Sequence, residues 1–231
     1  METNTQTTIG EIVANDFRAA ALFKDAGIDF CCGGNKSLDK ACQETGADAK
    51  ALANRIKELE NTPVSGNQNF KEWDLDFLCD YLVNTHHKFV LKTLPELVFY
   101  TQKIANVHGD HHPELIEVAS LFTKINEELL QHLKNEEEVL FPAIKKALDN
   151  NTADVKSLIN SEITRMQGEH EFAGGAMDQI AVLTKKYLVP DDACNTYSVS
   201  LKLLEQFEDD LHVHVHLENN ILYPKALKLA E

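Results

Sequence analysis

Two stretches of this chain place a histidine and a glutamate one helical turn apart: HLKNE beginning at His132 and HVHLE beginning at His214. They align at a constant offset of 82 residues, which also lays Leu140 on Leu222, Phe141 on Tyr223 and Pro142 on Pro224. Upstream, His87 precedes His132 by 45 residues and His170 precedes His214 by 44, so each half reads histidine, a long interval, then His-x-x-x-Glu. A repeat of this length marks two related supersecondary units, here two helical hairpins. At about 1.5 Å rise per residue, the interval suffices for half a helix, a turn and half of an antiparallel neighbour, which returns the second histidine to the level of the first. Four imidazoles and two carboxylates then share one layer. Buried without partners, such a layer is expensive through lost solvation, and a coordinated cation removes that expense. Imidazole and carboxylate without thiolate suit iron, manganese or zinc, and two carboxylates shared inside a helix bundle suit a pair of such ions.

For that chemistry the six residues must face inward, and helical phase puts them there. Leu204, Phe207, Leu211, His214, Glu218 and Ile221 recur at spacings of three and four, which is the stripe of a core-facing helix. Ile125, Leu129, His132, Glu136 and Val139 form a second stripe, and Ile163, Met166, His170, Ala173, Met177 and Ile180 a third. Val83, His87, Val90 and Leu94 form the fourth. The alternating HVHVH at 212–216 has the period of a strand, but in the helical reading His214 alone faces the core. His212 and His216 fall roughly 200° round the axis, on the polar face. His86, next to His87, should point elsewhere.

The elements that position these residues are all helical. From Trp73 onward the chain reads as four long helices with polar connections near 107–113, 149–152 and 188–193. Before them, a helical pattern over 9–26 ends at Gly27, and two shorter helices are expected near 37–46 and 48–60, with Ser37 and Asp48 as caps. Hairpin turn signals flanked by β-branched runs are almost lacking. The fold class is therefore all-α: an up-down four-helix bundle at 70–231, preceded by a small three-helix domain at 1–62. NTPVSGNQN, at 61–69, supplies the linker at 63–69. Few core contacts should cross it, so the bundle is expected to fold and bind metal alone.

The chain has 231 residues, of which 22 are basic and 37 acidic, a net charge of -15. No cluster of Lys and Arg offers phosphates a positive face, so nucleic acid is not an expected partner. Neither a basic start followed by an apolar run nor eighteen successive apolar residues occurs, and neither export nor a membrane span is expected. Five scattered cysteines, an odd number, fit free thiols in the cytoplasm better than a disulfide scaffold.

Outside the six-residue layer, Cys31 and Cys32 form a vicinal pair before Gly33, Gly34 and the helix start at Ser37. Free backbone N–H groups and a helix N-terminus would lower their pKa and favour thiolates. Cys42, Cys79 and Cys194 are expected to be inert. Glu128, one turn before His132, and Glu169, beside His170, are candidates for steering cations or protons. His108, His111 and His112 cluster in a connection, where solvated side chains are the simpler reading.

The His-x-x-x-Glu pattern resembles hemerythrin-like domains, but Gly174 lies four residues after His170, where hemerythrin has a further histidine ligand. The last helix also carries His-x-x-x-Glu where hemerythrin has His-x-x-x-x-Asp. A closer resemblance covers nearly the whole chain. DFCCGG from Asp29, His87, HLKNEEEVLFP from His132, EHEFAG from Glu169 and HVHLENNILYP from His214 look like the di-iron proteins of iron-sulfur cluster repair, the family that includes ScdA-type proteins. That resemblance implies a cytoplasmic stress protein with two non-haem iron ions joined by an oxo or hydroxo bridge. Its ligands would be His87, His132, Glu136, His170, His214 and Glu218, both glutamates bridging. The implied partners are damaged iron-sulfur proteins and small diatomics such as nitric oxide or oxygen, and the N-terminal domain is a candidate homodimer contact. An oxygen or nitric oxide sensor or reductase is the alternative function.

Overall fold

Each apolar stripe becomes one member of a helical bundle in the computed structural model, which describes residues 5–60 and 69–229. The first member is α5 (Leu75–Leu82), a π-helical turn at Val83–His87 and α6 (Lys88–His108). The second is α7 (Glu114–Asn135), a π turn at Glu136–Leu140 and α8 (Phe141–Asp149). The third is the uninterrupted α9 (Ala153–Leu183), and the fourth is α10 (Asn195–Leu217), a π turn at Glu218–Leu222 and α11 (Tyr223–Leu229). Among the described residues there is no strand, only an isolated bridge between Thr8 and Ser37.

The two later π turns occupy the same place in the repeat, and their cause is legible in it. Pro142 and Pro224 lack an N–H and crowd the carbonyl four residues earlier. The turn before each proline widens instead, so that the N–H of Phe141 reaches Glu136 O and that of Tyr223 reaches Glu218 O, five residues back. The widening moves the core position after Glu136 from Val139, expected to be buried, to Leu140, which is. The π turn at Val83–His87 has no such proline behind it. All three turns carry residues of the His/Glu layer, as π turns often do at functional sites.

The N-terminal region is α1 (Ile9–Asn15), α2 (Ala19–Asp25), α3 (Leu38–Thr45) and α4 (Ala49–Glu60). The single helix expected over 9–26 is thus two. It breaks at Asp16, whose carboxylate accepts the Arg18 N–H and guanidinium at 2.9 to 3.1 Å. Thr8 and Ser37 cap α1 and α3 by accepting the N–H groups of Glu11 and Lys40.

Contrary to the expectation of few crossing contacts, this region shares a core with the bundle. Phe23, Ile28, Leu38 and Leu52 belong to one buried cluster with Leu94, Phe122, Leu204 and Phe207. Of the stretch expected to be the linker, residues 61–68 lie outside the described part. A specific latch adds to the apolar contact. Asn220, in the last π turn, donates its amide to the carbonyls of Phe30 and Cys31, both at 3.2 Å. Its side chain fills the space that a Cβ would need at Gly10 or Gly34, where Asn220 Oδ1 lies only 2.2 and 2.3 Å from the ideal Cβ position.

A second buried cluster, including Leu82, Leu140, Ile163, Leu217 and Tyr223, closes the other end of the bundle. The polar layer lies between the two. Beyond α9, Lys185, Lys186 and Tyr187 hold φ of 51°, 59° and 59°, three successive non-glycine residues in the left-handed region. Each such residue costs roughly 1–2 kcal/mol, offset here by a turn in which Lys186 N donates to Ala181 O at 2.7 Å and Tyr187 N to Thr184 Oγ1 at 3.2 Å.

Candidate metal centre

The structure brings the six predicted residues together. His87, Glu136, His214 and Glu218 form one group whose ligand atoms all lie within 4.8 Å of one another, and His132, Glu136, His170 and Glu218 form a second. The two glutamates belong to both groups, and all six residues are buried. The imidazoles turn their Nε2 atoms inward. His87 Nε2 and His132 Nε2 each stand 3.4 Å from Glu136 Oε2, and His170 Nε2 is 3.2 Å from Glu218 Oε2. His214 Nε2 is 3.0 Å from Glu218 Oε1.

Outward-facing groups fix these rings, and the sequence reading missed most of them. His87 Nδ1 meets Glu137 Oε1 at 2.8 Å, His132 Nδ1 meets Glu169 Oε2 at 2.7 Å, and His170 Nδ1 meets Asn219 Oδ1 at 3.1 Å. Such acceptors set the tautomer and strengthen the inward nitrogen as a ligand. Tyr223 donates its hydroxyl to Glu136 Oε1 at 2.7 Å. A signal was available: Glu137 falls on Asn219 at the offset of the repeat, and each backs the upstream histidine of its own half. His86 precedes His87 as Glu169 precedes His170, but it stacks on His214 at 5.4 Å and 13° and meets Asp210 at 3.0 Å.

The electrostatics of the layer call for positive charge. Burial works against charge on Glu136, yet His132 and His87 hold its carboxyl well below the usual range. Burial and Glu136 likewise oppose charge on Glu218, but His214 and His170 bring it down to about 2. Burial disfavours a proton on His132, and Glu136 and Glu169 outweigh that and push the imidazole up to about 10. His87 is raised in the same sense, against burial, by Glu136. Without metal, protons on two imidazoles balance two buried carboxylates; with metal, they are displaced. His87 Nε2, Glu136 Oε2 and Glu218 Oε2 are buried without a hydrogen-bond partner, which is what inward-aimed ligand atoms look like. The residues present therefore fit a cation centre of nitrogen and oxygen donors.

The remaining candidates are placed differently. Glu128 is exposed and belongs to neither group, whereas Glu169 is the acceptor for His132. Cys32 Sγ lies 3.7 Å from His170 O, so the vicinal pair sits against the outer face of the layer. The expected thiolate at Cys31 is not supported, because Asp29 takes the N–H groups of Cys31, Cys32 and Gly33 at 2.8, 3.1 and 2.7 Å. The bond to Cys32, burial and the Asp29 charge instead push the Cys31 thiol well above its ordinary value. Burial raises Cys79 to about 12. Cys194, expected to be inert, is exposed at the start of α10, where the Tyr197 N–H and His108 lower its pKa to about 7. His108, His111 and His112 form no metal-sized group among the described residues.

Nor does His216 lie on a polar face. The N-terminal region covers that side of α10, and His216 is fully buried between Phe17 and Phe30, with ring centroids at 6.1 and 5.8 Å. His212 packs on Phe30 at 5.9 Å.

Residues 5–60 match the ScdA_N family, described as a domain of unknown function, and residues 79–226 match the family described as the hemerythrin HHE cation binding domain. The chain is 35% identical over 220 residues to the iron-sulfur cluster repair protein ScdA of Staphylococcus haemolyticus, covering 95% of this chain and 97% of that one. It is 34% identical over 223 residues to the iron-sulfur cluster repair protein YtfE of Musicola paradisiaca, covering 96% and 97%. The identity to YtfE of Yersinia pseudotuberculosis is 34% over 211 residues, covering 91% and 92%.

Proposed function

Since this chain belongs to the iron-sulfur cluster repair family, we propose that it holds two non-haem iron ions in its His/Glu layer and restores damaged iron-sulfur clusters by yielding iron to them. The observation that carries this reading is the sharing of Glu136 and Glu218 between two buried groups of four. His87 and His214 would hold one ion and His132 and His170 the other, with Glu136 and Glu218 available to both. Bound iron supplies redox chemistry and an exchangeable cation at a centre with few protein ligands per ion.

The chain's own residues then have distinct tasks. Glu137, Glu169 and Asn219 hold three of the rings in place through Nδ1. Tyr223 fixes one oxygen of Glu136 and leaves the other, Oε2, turned to the inward nitrogens of His87 and His132. A centre held by only two imidazoles and two shared carboxylates would be open to a small diatomic, nitric oxide or oxygen, or to a ligand from a client cluster. Cys32, half-buried beside His170 O with the buried Cys31 behind it, marks the face at which a client protein meets the centre. The work takes place in the reducing cytoplasm, and self-association through residues 1–62 belongs to the same proposal.

Incubating the iron-loaded protein with an iron-sulfur enzyme inactivated by nitric oxide tests it. Recovery of enzyme activity with matching loss of iron from this protein is expected, and weaker recovery from the Cys31→Ser, Cys32→Ser double variant. Reversible nitric oxide binding with no recovery at all would overturn the repair reading in favour of a sensor.

A further inference from the structure

Away from the metal centre, a cavity of about 330 Å³ opens between the N-terminal region and the bundle. Its apolar wall comes from Ile28, Phe30 and Ala181, and carboxyl groups reach it from Asp29, Asp178, Glu205 and Glu208. Two lysines line it as well, but Lys24 is paired with Asp209, so the positive charge available does not balance the negative.

Two side chains in this cavity are buried at a cost that their surroundings do not repay. Glu208 is only 7% exposed, and burial, opposed by the nearby Tyr187 hydroxyl and aided by the Asp178 charge, pushes its carboxyl up to about 7. Tyr187 is also 7% exposed, and its hydroxyl leans toward Glu208 without completing a hydrogen bond of good geometry. Buried hydroxyls are normally paired. Tyr187 is moreover the last of the three residues held in the left-handed region, and strain of this kind gathers where a structure holds a ligand. The chain thus bends against its preference to bring a poorly paired phenol to a buried carboxyl.

We propose that this cavity is a binding site for a small organic cation, an alkylamine or alkylguanidine, whose nitrogen donates to Glu208, Asp178 and the Tyr187 hydroxyl while its carbon body lies on Phe30 and Ile28. A bare metal ion is the poorer occupant. The oxygens here do not converge within the 4.8 Å that gathers the ligand atoms of the His/Glu layer, and the apolar wall gives a metal ion nothing. Asp29 contributes charge but little bonding, since its oxygens are committed to the N–H groups of the CCGG turn. Because Ile28 and Phe30 come from one region and Glu208 and Tyr187 from the other, an occupant also ties the two together.

Calorimetric titration of the full-length, metal-loaded protein with agmatine tests the site, with succinate and manganese(II) as comparison probes. Saturable binding of one agmatine per chain is expected, weakened about tenfold or more by Glu208→Gln and roughly three- to tenfold by Tyr187→Phe. Thermal unfolding of each variant shows whether it is folded, and the Tyr187→Phe variant keeps the question answerable should Glu208→Gln unfold. No saturable agmatine binding, or binding indifferent to both substitutions, overturns the site. Manganese that binds and displaces agmatine overturns the chemical class.

Discussion

Replacing Gly34 with alanine strikes the latch between the CCGG turn and the helical segment that carries His214 and Glu218. The new Cβ would stand 2.3 Å from Asn220 Oδ1, 2.8 Å from Nδ2 and 2.9 Å from Cγ. The amide must then leave, and with it go the bonds to the carbonyls of Phe30 and Cys31 at 3.2 Å. Two neutral hydrogen bonds at about 0.5–1.5 kcal/mol each amount to about 1–3 kcal/mol. For a chain of this size, roughly 2–4 °C is lost per kcal/mol, so melting should fall by about 2–12 °C. Circular dichroism against temperature measures that fall, and alkylation of Cys32 should quicken as the turn lifts from His170. The coupled control is Asn220→Ala, which removes the obstacle: on that background Gly34→Ala should have almost no further effect. An unchanged melting temperature for Gly34→Ala alone, or an equal loss on both backgrounds, would refute the latch.

Tyr223→Phe removes the hydroxyl that fixes Glu136 without changing the packing of the ring, and iron retention against a chelator should weaken by about 10–100-fold. Deleting residues 1–62 should leave the His/Glu layer able to take up metal but lower the melting temperature, because the shared core loses Phe23, Leu38 and Leu52; an undiminished melting temperature would contradict the shared core. Glu208 has a folded pKa raised to about 7 by burial, above its unfolded value of about 4.3. The folded state therefore binds the extra proton between those values, stability falls as pH rises through that window, and the fall ends above about 7. Denaturant titrations across pH should show Glu208→Gln lacking this part of the decline.

The layer of six His and Glu residues was legible because two independent signals coincide in it. The 82-residue offset pairs His132 with His214 and Glu136 with Glu218, and the three-four stripes of the helices put the same residues inward. His216 was misread for a reason that lies outside its own helix. Periodicity reports one apolar face of α10, whereas the opposite face is covered by Phe17 and Phe30, from a region with no periodic relation to it. Val139 was misread because a π turn shifts phase by one residue, although Pro142 marks where this happens. Cys31 was misjudged because glycines free N–H groups only when nothing nearby accepts them, and Asp29 does. The Nδ1 acceptors Glu137 and Asn219 could have been found by asking which polar residues the repeat carries along with its ligands.

The count of iron per chain, taken with that of three variants, tests the shared-ligand centre most directly. The wild-type protein and His216→Ala should each hold two irons, since His216 is buried against Phe17 and Phe30 rather than turned into the layer. Glu136→Ala and Glu218→Ala should each lose most of both, because each glutamate belongs to both groups. Full iron retention by both glutamate variants, or a loss in His216→Ala as large as that in His214→Ala, would contradict the centre described.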